Sequence, residues 1–321
     1  MTIARDLERL ALDAVAAAEA AAIAASSLIG YGRKEDADQA AVDALRTGLN
    51  AMAMKGRIVI GEGERDEAPM LYIGEEVGTG EGPEIDIALD PLEGTSLTAK
   101  GMPNALAVVS FAARGGLLHA PDTYMDKIAV GPGLPAGVID LDRSPSENVA
   151  AIAKARSVSP EDISVCVLER ERHDEIVADI RSTGARVMMI PDGDVAGVIA
   201  TTDPATGIDL YIGQGGAPEG VLAATALRCV GGQMQARLFF RNDDERARAT
   251  KAGITDLDRK YDLTELASSD CLFVATGVTL HGSLLDGVRK SDGHVETETL
   301  IMQSSGSIVR RIRTSRPVSG A

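Results

Sequence analysis

Basic residues are scarce in this sequence. Its 321 residues include 48 Asp and Glu against 32 Lys and Arg, a formal charge of −16. Nucleic acid and anionic membrane surfaces are held by clustered Lys and Arg, so a chain this acidic is expected to bind neither. Handling an anionic substrate would require bound cations. Cysteine is scarce too: Cys166, Cys229 and Cys271 are odd in number, widely spaced and set in apolar runs. That excludes a disulfide framework and any paired metal or redox motif, and predicts reduced, buried thiols. Long apolar runs are also missing. The Ala-rich stretch Leu10–Ala25 is interrupted by Asp13 and Glu19, no acid-free basic segment precedes it, and no run reaches the ~20 residues of a membrane helix. A soluble, cytoplasmic protein is expected.

What is present suffices for a large core. Hydrophobic residues make up 45% of the chain, enough for one large domain or two lobes of roughly 150 residues. Apolar side chains at helical spacing predict helices over Leu7–Leu28 and Asp38–Met54. Short β-branched runs follow at 57–61, 85–89 and 105–112. From about residue 145 strands and helices alternate: strands at 163–168, 186–190 and 208–212, helices at 174–183, 195–200 and 219–230. Such alternation predicts a βαβ second half with buried strands. The tail, 271–313, reads as short strands with Gly-rich turns. Two packed α/β lobes are expected, residues 1–145 and 146–321, with no flexible linker.

Three segments carry candidate chemistry. Asp90-Pro91-Leu92-Glu93-Gly94-Thr95 follows directly on the apolar run 85–89, placing its side chains at a strand's C-terminal end, where α/β folds bind ligands. Two carboxylates around a Pro-fixed bend can bind divalent cations through hard oxygen ligands, and the Leu92 carbonyl can join them. Gly94 permits close backbone approach, and Thr95 offers a hydroxyl and an N–H. The plain alternative is a turn with a capping Thr. Gly61-Glu62-Gly63-Glu64-Arg65-Asp66-Glu67 also closes an apolar strand; its acids repel one another unless a cation compensates, or they form a solvated loop. Gly213 to Gly220, between a strand and a helix, can present backbone N–H groups to an anion. Glu219 there suits a ligand to a metal bridging a phosphate; otherwise it is an acid capping a Gly-rich turn.

Five runs together resemble one family. Ile60 to Glu64 with Asp66 to Tyr72, Asp90 to Thr95, Asn104 to Ala107, Ala120 to Met125, and Gly215 to Gly220 are similar to the class II fructose-1,6-bisphosphatases, in that family's order across most of residues 30 to 285. Asp-Pro-x-Glu-Gly-Thr is shared with the wider lithium-sensitive sugar-phosphatase superfamily. The resemblance implies an α/β fold, α+β in part, layered αβαβα in two packed lobes: a metal-binding N-terminal lobe and a sugar-phosphate-binding C-terminal lobe. It implies metal ligation by Asp38, Glu62, Asp90, Glu93 and Glu219, a lysine near the metals at Lys34, and Thr95 assisting the attacking water. Substrate contacts fall on Glu93, Gly94, Thr95, Tyr124, Arg170, Glu171, Arg172, the Asp192-Gly193-Asp194 turn and Gly216. Arg170-Glu171-Arg172 stands where the family more often has Lys-Pro-Arg, and Gln214 stands where an apolar residue is expected.

The implied reaction is metal-dependent hydrolysis of the C1 phosphate of fructose 1,6-bisphosphate, with Mn²⁺ or Mg²⁺ as cofactor and a homo-oligomer, dimer or tetramer, as the assembly. Carboxylates are the abundant groups at the strand ends, and no Cys-x5-Arg loop or nucleophile–base histidine arrangement occurs. Divalent cations would supply the positive field that an acidic chain lacks. Of the four histidines, His173 can contact substrate, while His119, His281 and His294 read as structural. The alternatives are sedoheptulose 1,7-bisphosphate as a second or preferred substrate, an inositol-phosphate-type phosphatase, and a non-catalytic sugar-phosphate sensor. Loss of Asp90, Glu93 or Thr95 would mark the sensor, and all three are present.

Overall fold

The computed structural model describes residues 2–63 and 70–317. Glu64, Arg65, Asp66 and Glu67 of the second acidic segment lie outside the described residues. In chain order the elements begin with α1 (Thr2–Ser26), α2 (Lys34–Ala51), β1 (Lys55–Ile60), β2 (Glu76–Val77), β3 (Glu84–Glu93), α3 (Thr95–Lys100) and β4 (Leu106–Ala113). The middle of the chain supplies β5 (Tyr124–Val130), α4 (Pro145–Arg156), β6 (Ser164–Leu168), α5 (Asp174–Ser182), β7 (Arg186–Ile190), α6 (Asp194–Ala200), β8 (Leu210–Gly216), α7 (Ala217–Val230), β9 (Gln233–Phe239), α8 (Asp243–Lys251), β10 (Lys260–Asp262) and α9 (Leu263–Leu266). The chain ends in β11 (Cys271–Gly277), β12 (Arg289–Ser291), β13 (His294–Gln303) and β14 (Ile308–Pro317). Among these residues no helix is long and apolar enough to cross a membrane.

The α/β class expected from the sequence is the one observed. The division of the chain differs from the expected one at residue 145. One unit holds the residues up to Leu117 together with those from Ser269 onward; the other is the continuous stretch Leu118–Ser268. The reason is strand pairing: β11 lies between β4 and β13, so the C-terminal strands complete the sheet that the N-terminal half begins.

The first unit is an eight-stranded sheet, ordered β12-β13-β11-β4-β3-β1-β2 with β14 on β13. β1 and β3 run parallel; the other pairs are antiparallel. The tail strands are longer than expected, β13 and β14 having ten residues each. In α1, Leu7, Leu10, Ala14, Ala17, Ala18, Ala21 and Ala25 repeat at three- and four-residue steps and are buried. Small side chains let α2 approach closely: a Cβ on Gly48 would lie 2.6 Å from Cβ of Ala17. That contact explains a glycine inside a helix, where it costs about 1 kcal/mol relative to alanine. Glu19, buried on α1, accepts from Thr297 Oγ1 at 3.0 Å and pairs with Arg316, tying the helix to β13 and β14.

The second unit is a six-stranded sheet, ordered β10-β9-β5-β8-β6-β7. The βαβ alternation predicts its parallel part, β6 with β7 and β8. β5, β9 and β10 join antiparallel, making the sheet mixed. Helix α4, absent from the sequence reading, is signalled by a capping box, Ser144 with Glu147, and by Pro145 in its first turn.

Candidate active site

In the first unit the strand register gathers the acids. β1 and β3 are parallel with Ile60 opposite Ala88, so Glu62 and Asp90 each stand two residues beyond that pair. β3 does not stop at Leu89, as the apolar run suggests, but continues to Glu93. Its register against β4 slips between Asp90 and Glu93, a bulge at Pro91, which cannot donate to the ladder. Asp90 Oδ1 accepts the Leu92 N–H at 3.0 Å and closes the bend. Gly94 then takes φ 84°, a left-handed backbone, and Thr95 opens α3 half-buried. Glu93 is buried; Glu62 and Asp90 are half-buried.

α2 brings Asp38 to this end. The N–H groups of Gly30 and Gly32 donate to the carbonyls of Thr98 and Ala99 on α3, at 2.9 and 3.0 Å, fastening the start of α2 beside the Asp90–Thr95 turn. Burial first, then the charge of Asp90, push the Asp38 carboxyl up to about 6, while Lys34 pulls the other way. Lys34 is exposed as the first residue of α2. Asn104, at φ 77°, accepts from the N–H and hydroxyl of Ser283 at 2.7 and 3.1 Å and anchors the turn after α3. The Asn104–Ala107 run is therefore accounted for by a turn anchor and the start of β4.

The donor set suits a hard divalent cation. Asp38 and Asp90 repel each other, and a dication removes that cost. Among the described residues no three acids, histidines or cysteines form a closed cage. Mg²⁺-type ions do not need one, since they bind through one or two carboxylates, retained waters and substrate phosphate oxygens.

In the second unit, strand direction does the gathering. β6, β7 and β8 are parallel, so Arg170–Arg172, Asp192–Asp194 and Gly213–Gly216 leave the same edge. β5 runs antiparallel to β8 and pairs Tyr124 with Gly216, placing the tyrosine at that edge. Arg172 donates Nε and one terminal nitrogen to the Gln214 carbonyl, at 3.3 and 2.7 Å, and lies 5.1 Å from the Tyr124 ring centre. Arg170 donates to the carbonyls of Glu169 and Pro191 and sits 3.7 Å from Asp192, so it fastens the Asp192–Asp194 turn. Glu171 is exposed in a short 3₁₀ turn. Gly193 takes φ 87° before α6.

Three side chains have roles that the sequence does not disclose. Lys127, on β5 and 1% exposed, pairs with Asp194 and donates to the Gly216 carbonyl at 2.8 Å. The carboxylate of Asp194 is thus turned inward, and one lysine joins the Asp192–Asp194 turn to the end of β8. His173 is buried with both ring nitrogens engaged: Nε2 accepts the Gln214 N–H at 2.8 Å, so Nδ1–H donates to the Leu168 carbonyl at 2.7 Å. It is a structural bridge and not a substrate contact. Arg241, two residues past β9, places its guanidinium 4.5 Å from the Tyr124 ring centre. Gln214, for its part, donates Nε2–H to Asp126 at 2.9 Å, which explains a polar residue there.

Glu219 lies half-buried in the first turn of α7, its carboxylate folded back over Gly216. The Gly216 backbone is ordinary, φ −61°, so this glycine is needed for space and not for conformation.

Residues 8–316 match the family described as bacterial fructose-1,6-bisphosphatase, glpX-encoded. The chain is 43% identical to a D-fructose 1,6-bisphosphatase class 2/sedoheptulose 1,7-bisphosphatase of Synechococcus sp. (strain JA-3-3Ab), over 95% of each chain. It is 42% identical to the protein of the same description from Prochlorococcus marinus (strain NATL1A), over 94% of each. With a family match over nearly its whole length and relatives more than 40% identical along it, the chain belongs to the glpX-encoded bacterial fructose-1,6-bisphosphatase family, a phosphoric monoester hydrolase.

Proposed function

We propose that the chain hydrolyses the C1 phosphate of fructose 1,6-bisphosphate with Mn²⁺ or Mg²⁺, held by Asp38, Glu62, Asp90, Glu93 and Glu219. The observation that carries this reading is Asp38 on α2, whose carboxyl is pushed up to about 6 by burial and then by the charge of Asp90. When bound, the cation neutralises phosphoryl oxygens and acidifies water. The chain's own residues do the rest. Thr95, beside the Gly94 bend, orients the attacking water and takes or relays its proton. Lys34 supplies positive charge next to the acids. Arg172 and Tyr124 fix the sugar and its distal phosphate, while Arg170 and Asp192 hold the turn beside them. A threonine hydroxyl is a poor nucleophile, so no phosphothreonine forms.

Sedoheptulose 1,7-bisphosphate is a second substrate candidate, because both curated relatives carry it in their names. Phosphate release from a panel of sugar bisphosphates, after exhaustive chelation and again with added Mn²⁺ or Mg²⁺, tests the whole reading. Activity should vanish on chelation and return with metal. Full turnover after EDTA would sink the mechanism.

A further inference from the structure

Arg241 has no part in the reading above, and the structure assigns it one: we propose that Arg241 binds substrate, closing on the distal phosphate of the sugar bisphosphate together with Arg172. This inference rests on the proposed substrate. Tyr124 is opposite Gly216 on one side and opposite Phe239, the last residue of β9, on the other. That double register carries the chain leaving β9 to the edge where Arg172 sits. Arg241 lies 4.5 Å and Arg172 5.1 Å from the same tyrosine ring. Two guanidiniums sharing one ring repel each other, and the electron-rich ring face offsets only part of that repulsion.

Arg241 is also held rigidly. Glu245 on α8, 1% exposed, accepts from the Arg241 backbone N–H at 2.7 Å and from its Nε–H at 2.6 Å, with a terminal nitrogen at 2.5 Å. Glu245 is fixed in turn by its own N–H, which donates to Asn242 Oδ1 at 2.9 Å. Arg172 is likewise fixed along one edge by the Gln214 carbonyl. Each guanidinium therefore keeps a terminal nitrogen that makes no hydrogen bond among the described residues. Glu245 cancels one of the two charges, and a phosphate dianion is the partner that paired, pre-oriented guanidiniums recognise best. A cap on α8 alone would explain the bonds to Glu245. It would not explain why the guanidinium lies over Tyr124.

The test uses the full-length, metal-loaded protein and three probes: fructose 1,6-bisphosphate; fructose 6-phosphate as a product inhibitor carrying only the distal phosphate; and p-nitrophenyl phosphate, which carries no second phosphate. Arg241→Ala should raise KM for the bisphosphate about tenfold or more, with the inhibition constant of fructose 6-phosphate rising in parallel. Turnover of p-nitrophenyl phosphate should change far less. Arg241→Lys, which keeps the charge and loses the fork, should fall between the two. If Arg241→Ala does not fold, Arg241→Gln with Glu245→Gln carries the test, since that pair leaves no buried charge uncompensated. An unchanged KM and inhibition constant would overturn the assignment, as would equal losses on the bisphosphate and p-nitrophenyl phosphate. A wild-type protein that hydrolyses no sugar bisphosphate would instead overturn the proposed substrate, whatever Arg241 does.

Discussion

A Cβ added to Gly216 would lie 1.8 Å from Oε2 of Glu219. The two residues therefore fit only as a pair: the glycine makes the space into which the glutamate folds. Gly216→Ala leaves the backbone unstrained but displaces that carboxylate. If Glu219 is a metal ligand, the variant should need roughly 10–100 times more Mn²⁺ for half-maximal activity, with its melting temperature little changed. Metal-activation curves beside those of Glu219→Gln check this. A normal activation curve for Gly216→Ala would show that the glutamate's position is immaterial.

Thr95 separates chemistry from binding. Thr95→Ser keeps the hydroxyl and should retain substantial activity. Thr95→Ala should lower kcat on the order of 10²–10⁴-fold, the range for losing a positioned proton-transfer group, with KM and metal affinity nearly constant. A defect cured by more metal would make Thr95 a ligand-positioning residue instead.

Asp38 sets a pH dependence for the metal-free protein. Its carboxyl is raised from 3.8 to about 6, by burial and then by Asp90. Between those values the folded chain keeps a proton that the unfolded chain has released. The contribution to stability is thus fully present below the unfolded value and lost as pH rises through about 6. In EDTA, wild type should lose stability relative to Asp38→Asn between about pH 4 and about pH 6.5. Adding Mn²⁺ at the higher pH should reverse that order. Thermal melts of the two proteins decide it, and a pH-independent gap between them would refute the coupling.

His173 has the opposite sign. Burial first, and the Arg172 charge as well, hold its imidazole below 6.5, against the hydrogen bonds that favour protonation. The unfolded chain then binds the proton more readily, so this contribution is full above about 6.5 and falls as pH drops. Protonated Nε2 can no longer accept the Gln214 N–H. His173→Gln should flatten that acid-side loss, leaving a smaller difference from wild type at about pH 5.5 than at about pH 8. Equal differences at both would mean that His173 does not titrate in this range.

The sequence discloses local features better than paired ones. The β-branched run before Asp90 and the acids at its end are set by neighbours in the chain, and the structure has a strand there; the Gly-rich turn expected from Gly213 is instead the end of β8, which runs to Gly216 and passes directly into α7. β5 and β9 were not legible, because what makes them strands is their pairing with each other and with β8. Arg241 was hidden for the same reason: nothing near it in sequence points to Tyr124. Lys127 gave no signal either, since a lysine inside an apolar strand acquires meaning only when Asp194 arrives from another element. The expected break at residue 145 followed the change in local pattern, whereas the actual division follows β11, whose partners are far away in the chain.

That strand has a consequence for synthesis. β11 occupies an interior place between β4 and β13, so on the ribosome the N-terminal strands must wait with β4 unpaired along one side while the whole Leu118–Ser268 stretch is made. Such an exposed strand edge is a template for association with other nascent chains. Asp90 and Glu93 stand on that waiting sheet, and they reach their final surroundings only after the residues from Ser269 onward have emerged.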